Sequence, residues 1–205
     1  MTKTYLTALF FIVICSFSFA QVPIGSNLEG YAKKLKNANG EATSLKDQVN
    51  REGLLIVFSC NTCPFVVGSK NFPGWEGQYN TLYDLAKKSG IGFVLVNSNE
   101  AKRDGDDSFE NMEKHATDAA YKMPYLMDEN SSLANSLMAK TTPHVFFYNN
   151  QFKLIYSGSI DNIWDGKRKK DIPHLKQAIQ NHSLSKKIKT PTTAPKGCSI
   201  KRVKS

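Results

Sequence analysis

From Leu54 onward the chain alternates short apolar runs with longer stretches whose apolar residues recur at helical spacing. Leu54-Leu55-Ile56-Val57-Phe58 is continuously apolar, the pattern of a central strand buried on both faces. Between Trp75 and Lys88 the apolar positions Trp75, Tyr79, Leu82 and Ala86 predict an amphipathic helix that stops at Ser89-Gly90. Ile91 to Val96 is a second buried strand. Strand, helix and strand in that order predict a right-handed parallel crossover.

Past the polar loop NSNEAKRDGDD, Asp107 is expected to cap a helix, with Glu110 three residues beyond it. The stripe of that helix is Phe109, Met112, Ala116 and Ala119. Tyr125-Leu126-Met127 predicts a short strand, and residues 132–138 a short helix leading to Thr141-Thr142-Pro143-His144. Val145–Tyr148 and Lys153–Tyr156, divided by Asn149-Asn150-Gln151-Phe152, predict an antiparallel hairpin. A last amphipathic helix is expected from about Ile172 to His182. The charged run around Asp161, Asp165 and Lys167–Lys170 is expected at the surface. The fold class is therefore α/β, a central mixed sheet flanked by helices.

The N-terminus, MTKTYLTALFFIVICSFSFAQ, has an apolar run from Leu6 to Ile14, too short for a spanning helix of about 20 residues. Small residues at Ser18 and Ala20 predict a signal peptide, residues 1–20, cleaved after Ala20. An uncleaved anchor is the alternative, and Ile14 argues against lipidation at Cys15. The expected protein is exported, periplasmic or secreted, without stable membrane insertion after cleavage. Residues 21–44 are then a polar lead with a turn at Asn39-Gly40 and room for one short strand or helix, 45–185 one domain, and 186–205 a basic tail containing Cys198. The net charge is +9, and from Ser185 to Ser205 every charged residue is Lys or Arg. A nucleic-acid partner is not expected, because the chain is exported and the tail lacks aromatic residues for base stacking.

After cleavage the cysteines are Cys60, Cys63 and Cys198, too few for a disulfide framework. Phe58-Ser59-Cys60-Asn61-Thr62-Cys63-Pro64-Phe65 puts two of them at a strand-to-helix junction. Structural zinc needs four ligands, and His115, His144, His174 and His182 offer no second paired spacing. A static disulfide would close so small a loop that it gains little chain entropy. Thiol chemistry fits better, since N–H groups of a first helical turn favour a thiolate. On this reading the more exposed Cys60 attacks and the inner Cys63 resolves, with Pro64 suited to the first turn. Asp104, Asp106 and Asp107 lack the later glycine and distal glutamate of a calcium loop. No phosphate-cradling loop or nucleotide fingerprint is present. Cofactors are therefore expected to be none, with electrons coming from a protein or small-thiol redox partner.

Five blocks in order, FSCNTCPFV, FVLVNSNEAKRDGDDSFENM, MPYLMDENSSLA, TTPHVFFYN and PKGCSIK, resemble the thioredoxin-like superfamily, in the exported redoxin group near the peroxiredoxin-like AhpC/TSA proteins. The resemblance runs from about Leu45 to the end. It implies a thiol–disulfide oxidoreductase acting on exported proteins or small thiols through Cys60 and Cys63. It also implies a cis-proline loop at Thr142-Pro143, where the Thr142 backbone would pair with an extended substrate. The sequence departs from thioredoxins in two ways. Leu54 stands where a buried acid is usual, leaving Glu52 as the nearest, and Ser59 to Cys63 lacks the usual tryptophan and central proline.

A second alignment, to peroxiredoxins, makes Cys63 the peroxidatic residue, peroxide a partner, and Cys60 the stand-in for a family threonine. Arg103 and Arg168 are then the candidates for stabilising the leaving oxygen. Cys198 follows Gly197, which permits close approach. It is a candidate to resolve an intermediate, to pair with another protein, or to remain free. A less favoured alternative is copper binding or delivery, with His144 beside the cis-proline and thiolates that favour Cu(I).

Overall fold

The computed structural model describes residues 21–203. The signal-peptide reading, residues 1–20, lies outside the described residues. In chain order the elements are β1 (Lys34–Asn37), β2 (Thr43–Ser44), α1 (Leu45–Gln48), β3 (Gly53–Ser59), α2 (Pro64–Val67), α3 (Tyr79–Lys88), β4 (Ile91–Asn97), α4 (Phe109–Asp118), β5 (Tyr125–Met127), α5 (Ser132–Ser136), β6 (Thr141–Thr142), β7 (His144–Tyr148), β8 (Leu154–Gly158), α6 (His174–Ser183) and β9 (Cys198–Ser199). Seven strands form one mixed sheet in the order β2-β1-β5-β4-β3-β7-β8, and β6 pairs with β9 in a separate ribbon.

β3 is buried along its whole length because it has a partner on each edge and a core on each face. It runs parallel to β4, Gly53 opposite Ile91 through Ser59 opposite Asn97, and antiparallel to β7. Leu55 and Val57 face a core shared with Trp75, Tyr79, Leu175, Cys60 and Cys63. Leu54, Ile56 and Phe58 face a second core with Val94, Phe146 and Leu133. Removing such side chains from water stabilises the fold by about 1.5–3 kcal/mol each. The predicted crossover, the β7–β8 hairpin and the last helix are all present.

Three segments depart from expectation. The lead is part of the sheet: β1 pairs with β5, Lys36 opposite Met127, and β2 pairs with β1. Asp161, expected at the surface, is buried. Its carboxylate accepts from the Trp75 indole N–H at 2.7 Å, the Gln78 amide at 2.8 Å and the Ile163 N–H at 3.0 Å.

The end of the chain is also woven into the body. The Ser157 N–H donates to Pro191 O and the Thr193 N–H to Ser157 O. The Ile200 N–H donates to Lys140 O and the Ala101 N–H to Lys201 O, while the Ile200 side chain is buried. A segment rich in Lys, Thr and Pro gives no periodicity from which this course is readable. Among the described residues, no helix is long and apolar enough to cross a membrane.

Candidate active site

β3 delivers the chain to Cys60, and Cys63 immediately precedes α2 with Pro64 in its first turn. The Val66 and Val67 N–H groups both close on the Cys63 carbonyl, at 2.7 and 2.9 Å. Asp107 fixes the loop between the two cysteines. Its buried carboxylate accepts from the Asn61 N–H at 3.0 Å, the Asn97 amide at 2.7 Å and the Asn99 amide at 2.9 Å. The Asn61 side chain is held in turn by the Tyr125 hydroxyl and the Asp106 carbonyl.

Asp107 is therefore not the helix cap expected from the sequence. Ser108 caps α4 through the Asn111 N–H. A capping acid and a buried one look alike in a run of three aspartates, so the sequence alone missed this positioning residue. Asp107→Ala would leave buried donors unpaired and is expected to destabilise the fold by about 2–4 kcal/mol, read from urea denaturation.

The second wall of the site is the β6–β9 ribbon. The Thr142–Pro143 peptide is cis, and Thr142 lies opposite Cys198 in the antiparallel pairing. The Cys60 sulfur is 3.1 Å from Thr142 Oγ1, and the Cys63 thiol donates to the Thr142 carbonyl at 3.4 Å. Gly197 makes this approach possible, because a Cβ there would lie 2.2 Å from the same carbonyl oxygen. Gly197→Ala must push β9 off β6. The expected loss is about 1–3 kcal/mol, read as a lower midpoint in thermal or urea unfolding.

All three thiols are free, and their electrostatics differ. The adjacent Cys60 thiol lowers the Cys63 pKa most, against the opposing cost of burial. The Cys198 thiol and the backbone N–H groups of Cys198 and Phe65 lower it further, to about 5 from an ordinary 9.0. Ionisation gives up the bond to the Thr142 carbonyl and turns the sulfur into an acceptor for its neighbours. Cys60 moves the other way, raised well above the thiol range by the Cys63 sulfur and by burial. Cys198 is pushed up to about 11 by burial and by Cys63. Cys60 is 1% exposed and Cys63 6%, so the expected order of exposure is reversed. The reason is that β3 carries Cys60 into the core before the chain turns outward.

Other groups expected near the sulfurs are engaged elsewhere. Glu52 precedes β3 while Cys60 follows it, a separation of about 26 Å at about 3.3 Å per residue, so it cannot relay a proton to Cys63. Arg103 donates to Asn97 Oδ1 at 3.0 Å and to the Asp107 carbonyl at 2.8 Å, bracing the loop from behind. Arg168 is held by Asp171 and the Asp165 carbonyl. His144 lies on the Phe146 side of the sheet, its ring tilted against that of Phe146 with centroids 4.4 Å apart, with Nδ1 accepting from the Lys140 N–H and Nε2 beside Ser157 Oγ. Burial lowers its pKa to about 3. Among the described residues, no group of three or more His, Cys, Asp or Glu side chains is placed to hold a metal.

Solved structures support the architecture around these sulfurs. An uncharacterized conserved protein from Geobacillus kaustophilus is 28% identical, with a TM-score of 0.77 over 89% of this chain and 94% of its own. A hypothetical protein from Sinorhizobium meliloti 1021 is 25% identical, with a TM-score of 0.79 over 91% and 98%. The peroxidoxin BcpB from Mycobacterium tuberculosis shares the fold at 11% identity and a TM-score of 0.52, over 79% and 94%. No curated protein matches the chain. The mixed sheet with its flanking helices is thus thioredoxin-like. Since the Redoxin family model matches residues 20–179, most of the chain, this protein belongs to the Redoxin family.

Proposed function

We propose that the protein is a thiol–disulfide oxidoreductase working outside the cytosol, in which Cys63 attacks and Cys60 resolves. The observation that carries this reading is the convergence of both sulfurs on Thr142, with the lower pKa on Cys63. The Cys63 thiolate attacks one sulfur of a disulfide R–S–S–R, forming a mixed disulfide and expelling RS⁻. The bonded Cys63 no longer carries the charge that holds the proton on Cys60. Cys60 then loses that proton to solvent and attacks the Cys63 sulfur. A Cys60–Cys63 disulfide forms, the second RS⁻ leaves, and two electrons have passed from the dithiol to the substrate.

A single-turnover experiment tests this. Fully reduced protein and one equivalent of bis(2-hydroxyethyl) disulfide are expected to yield two small thiols per chain and a Cys60–Cys63 disulfide on peptide mapping. Release of one thiol only, or a product disulfide without Cys63, would overturn it.

Peroxide reduction at the same sulfur is the second reading, favoured by the low pKa of Cys63 and by Cys60 in the place of a donor. Against it stand Arg103 and Arg168, whose guanidinium groups are committed to the loop behind the site and to the 165–171 segment. Copper delivery is not favoured, because His144 uses both ring nitrogens on the far side of the sheet.

A further inference from the structure

Building on that exchange reaction, we infer that the site accepts a low-molecular-weight disulfide carrying carboxylates and shuts out extended polypeptide, because the chain's own β9 already fills the strand edge at Thr142. An extended protein substrate adds as a strand to a free edge, and its affinity comes from main-chain hydrogen bonds. Here Thr141 and Thr142 are paired with Ser199 and Cys198. Gly197 sits so close to the Thr142 carbonyl that nothing fits between them.

β9 is also tied down on both sides. Upstream, Thr193 bonds Ser157 through its backbone and the Ser159 N–H through its hydroxyl. Downstream, the Lys201 N–H donates to Asn99 Oδ1 at 2.8 Å and the Arg202 guanidinium to the Ala139 carbonyl at 2.6 Å. Breaking these bonds strands polar groups that the fold has taken from water, and Ile200 would have to leave its core. Peeling the ribbon away to admit another strand is therefore costly.

What stays open is a cavity of about 170 Å³ reached between Cys63, Thr62, Cys198, Asn99, Lys102 and Lys201. Pockets for drug-sized ligands run to about 300–1,000 Å³, so this one admits one arm of a small disulfide. Its charge selects the arm. Asp107 also lines the cavity, but its carboxylate is occupied by Asn61, Asn97 and Asn99. The Lys102 ammonium is 3.8 Å from Asp106 and half-exposed. The Lys201 ammonium donates to Ser199 Oγ at 3.2 Å. Two lysines lining the same cavity as the attacking sulfur favour a substrate whose sulfurs lie a few bonds from carboxylates.

The test is the second-order rate of thiol release by the reduced, mature protein with four probes. These are 3,3′-dithiodipropionate, neutral bis(2-hydroxyethyl) disulfide, cationic cystamine, and an extended decapeptide whose central cysteine is disulfide-bonded to 2-mercaptoethanol. The dicarboxylate is expected to react about tenfold or more faster than cystamine, within the range that charge steering supplies. That preference is expected to collapse in the Lys102→Ala/Lys201→Ala double variant and to shrink with added salt, while the peptide trails the neutral small disulfide by about tenfold. Fast reaction without a charge order, or a peptide as fast as the small disulfides, would overturn this inference and leave the exchange reaction standing. Rates no better than a free thiol on all four probes would overturn both.

Discussion

Serine at Cys63 is expected to abolish disulfide reduction, lowering turnover of bis(2-hydroxyethyl) disulfide with dithiothreitol as reductant by about 10³-fold or more. A hydroxyl at that position has no anion to attack a disulfide at neutral pH. Serine at Cys60 is expected to behave differently. The first attack survives, and the Cys63 mixed disulfide accumulates, visible in the intact mass as one adduct of the small thiol. Rapid loss of that adduct, with a Cys63–Cys198 disulfide in its place, would make Cys198 the resolving residue. The position of Cys198 opposite Thr142 gives that outcome a physical route. The pair of variants thus separates the attacking sulfur from the resolving one, which the CxxC spacing by itself does not.

The second large effect is in the pH profile. With the Cys63 pKa lowered to about 5, the anion is present above that pH and is lost as the pH falls through it. The rate of alkylation at Cys63 is expected to rise with a midpoint near pH 5 and to be flat by pH 7. Cys60→Ala removes the largest contribution to that lowering and leaves burial opposing it. Its midpoint is expected to move up by at least one unit, which at pH 5 costs about fivefold or more in thiolate. Cys198→Ala is expected to move the midpoint in the same direction by less. A midpoint unmoved by either change would mean that the neighbouring thiols do not set the acidity of Cys63.

Much of this site was legible because apolar runs report burial directly. Leu54 to Phe58 reads as a central strand, and in a crossover such a strand ends at a junction with a helix, which located Cys60 and Cys63. The order of exposure was not legible, since it depends on how far β3 carries Cys60 into the core and on the β6–β9 ribbon packed against both sulfurs, and β9 is two residues long. Polar residues gave the least warning. Asp107 reads as a helix cap and Asp161 as a surface acid in sequence, yet each is buried with three donors, among them the Asn61 N–H for Asp107 and the Trp75 and Gln78 side chains for Asp161, which lie far off along the chain. Periodicity carries no information about such partners. The course of residues 191–202 was hidden for a related reason: it is fixed by backbone hydrogen bonds and by Gly197, with Ile200 its one deeply buried apolar side chain.

The most direct test of the account is native alkylation at pH 6, with limiting iodoacetamide and peptide mapping of the three cysteines over time. At that pH an ordinary thiol is almost wholly protonated, whereas a thiol with a pKa of about 5 is mostly anionic. The expected result is a carboxamidomethyl group on Cys63 well before either of the others, with Cys198, protonated at this pH, modified slowly and Cys60 only on unfolding. First modification at Cys60, or equally slow modification of all three, would contradict the assignment of Cys63 as the attacking thiolate.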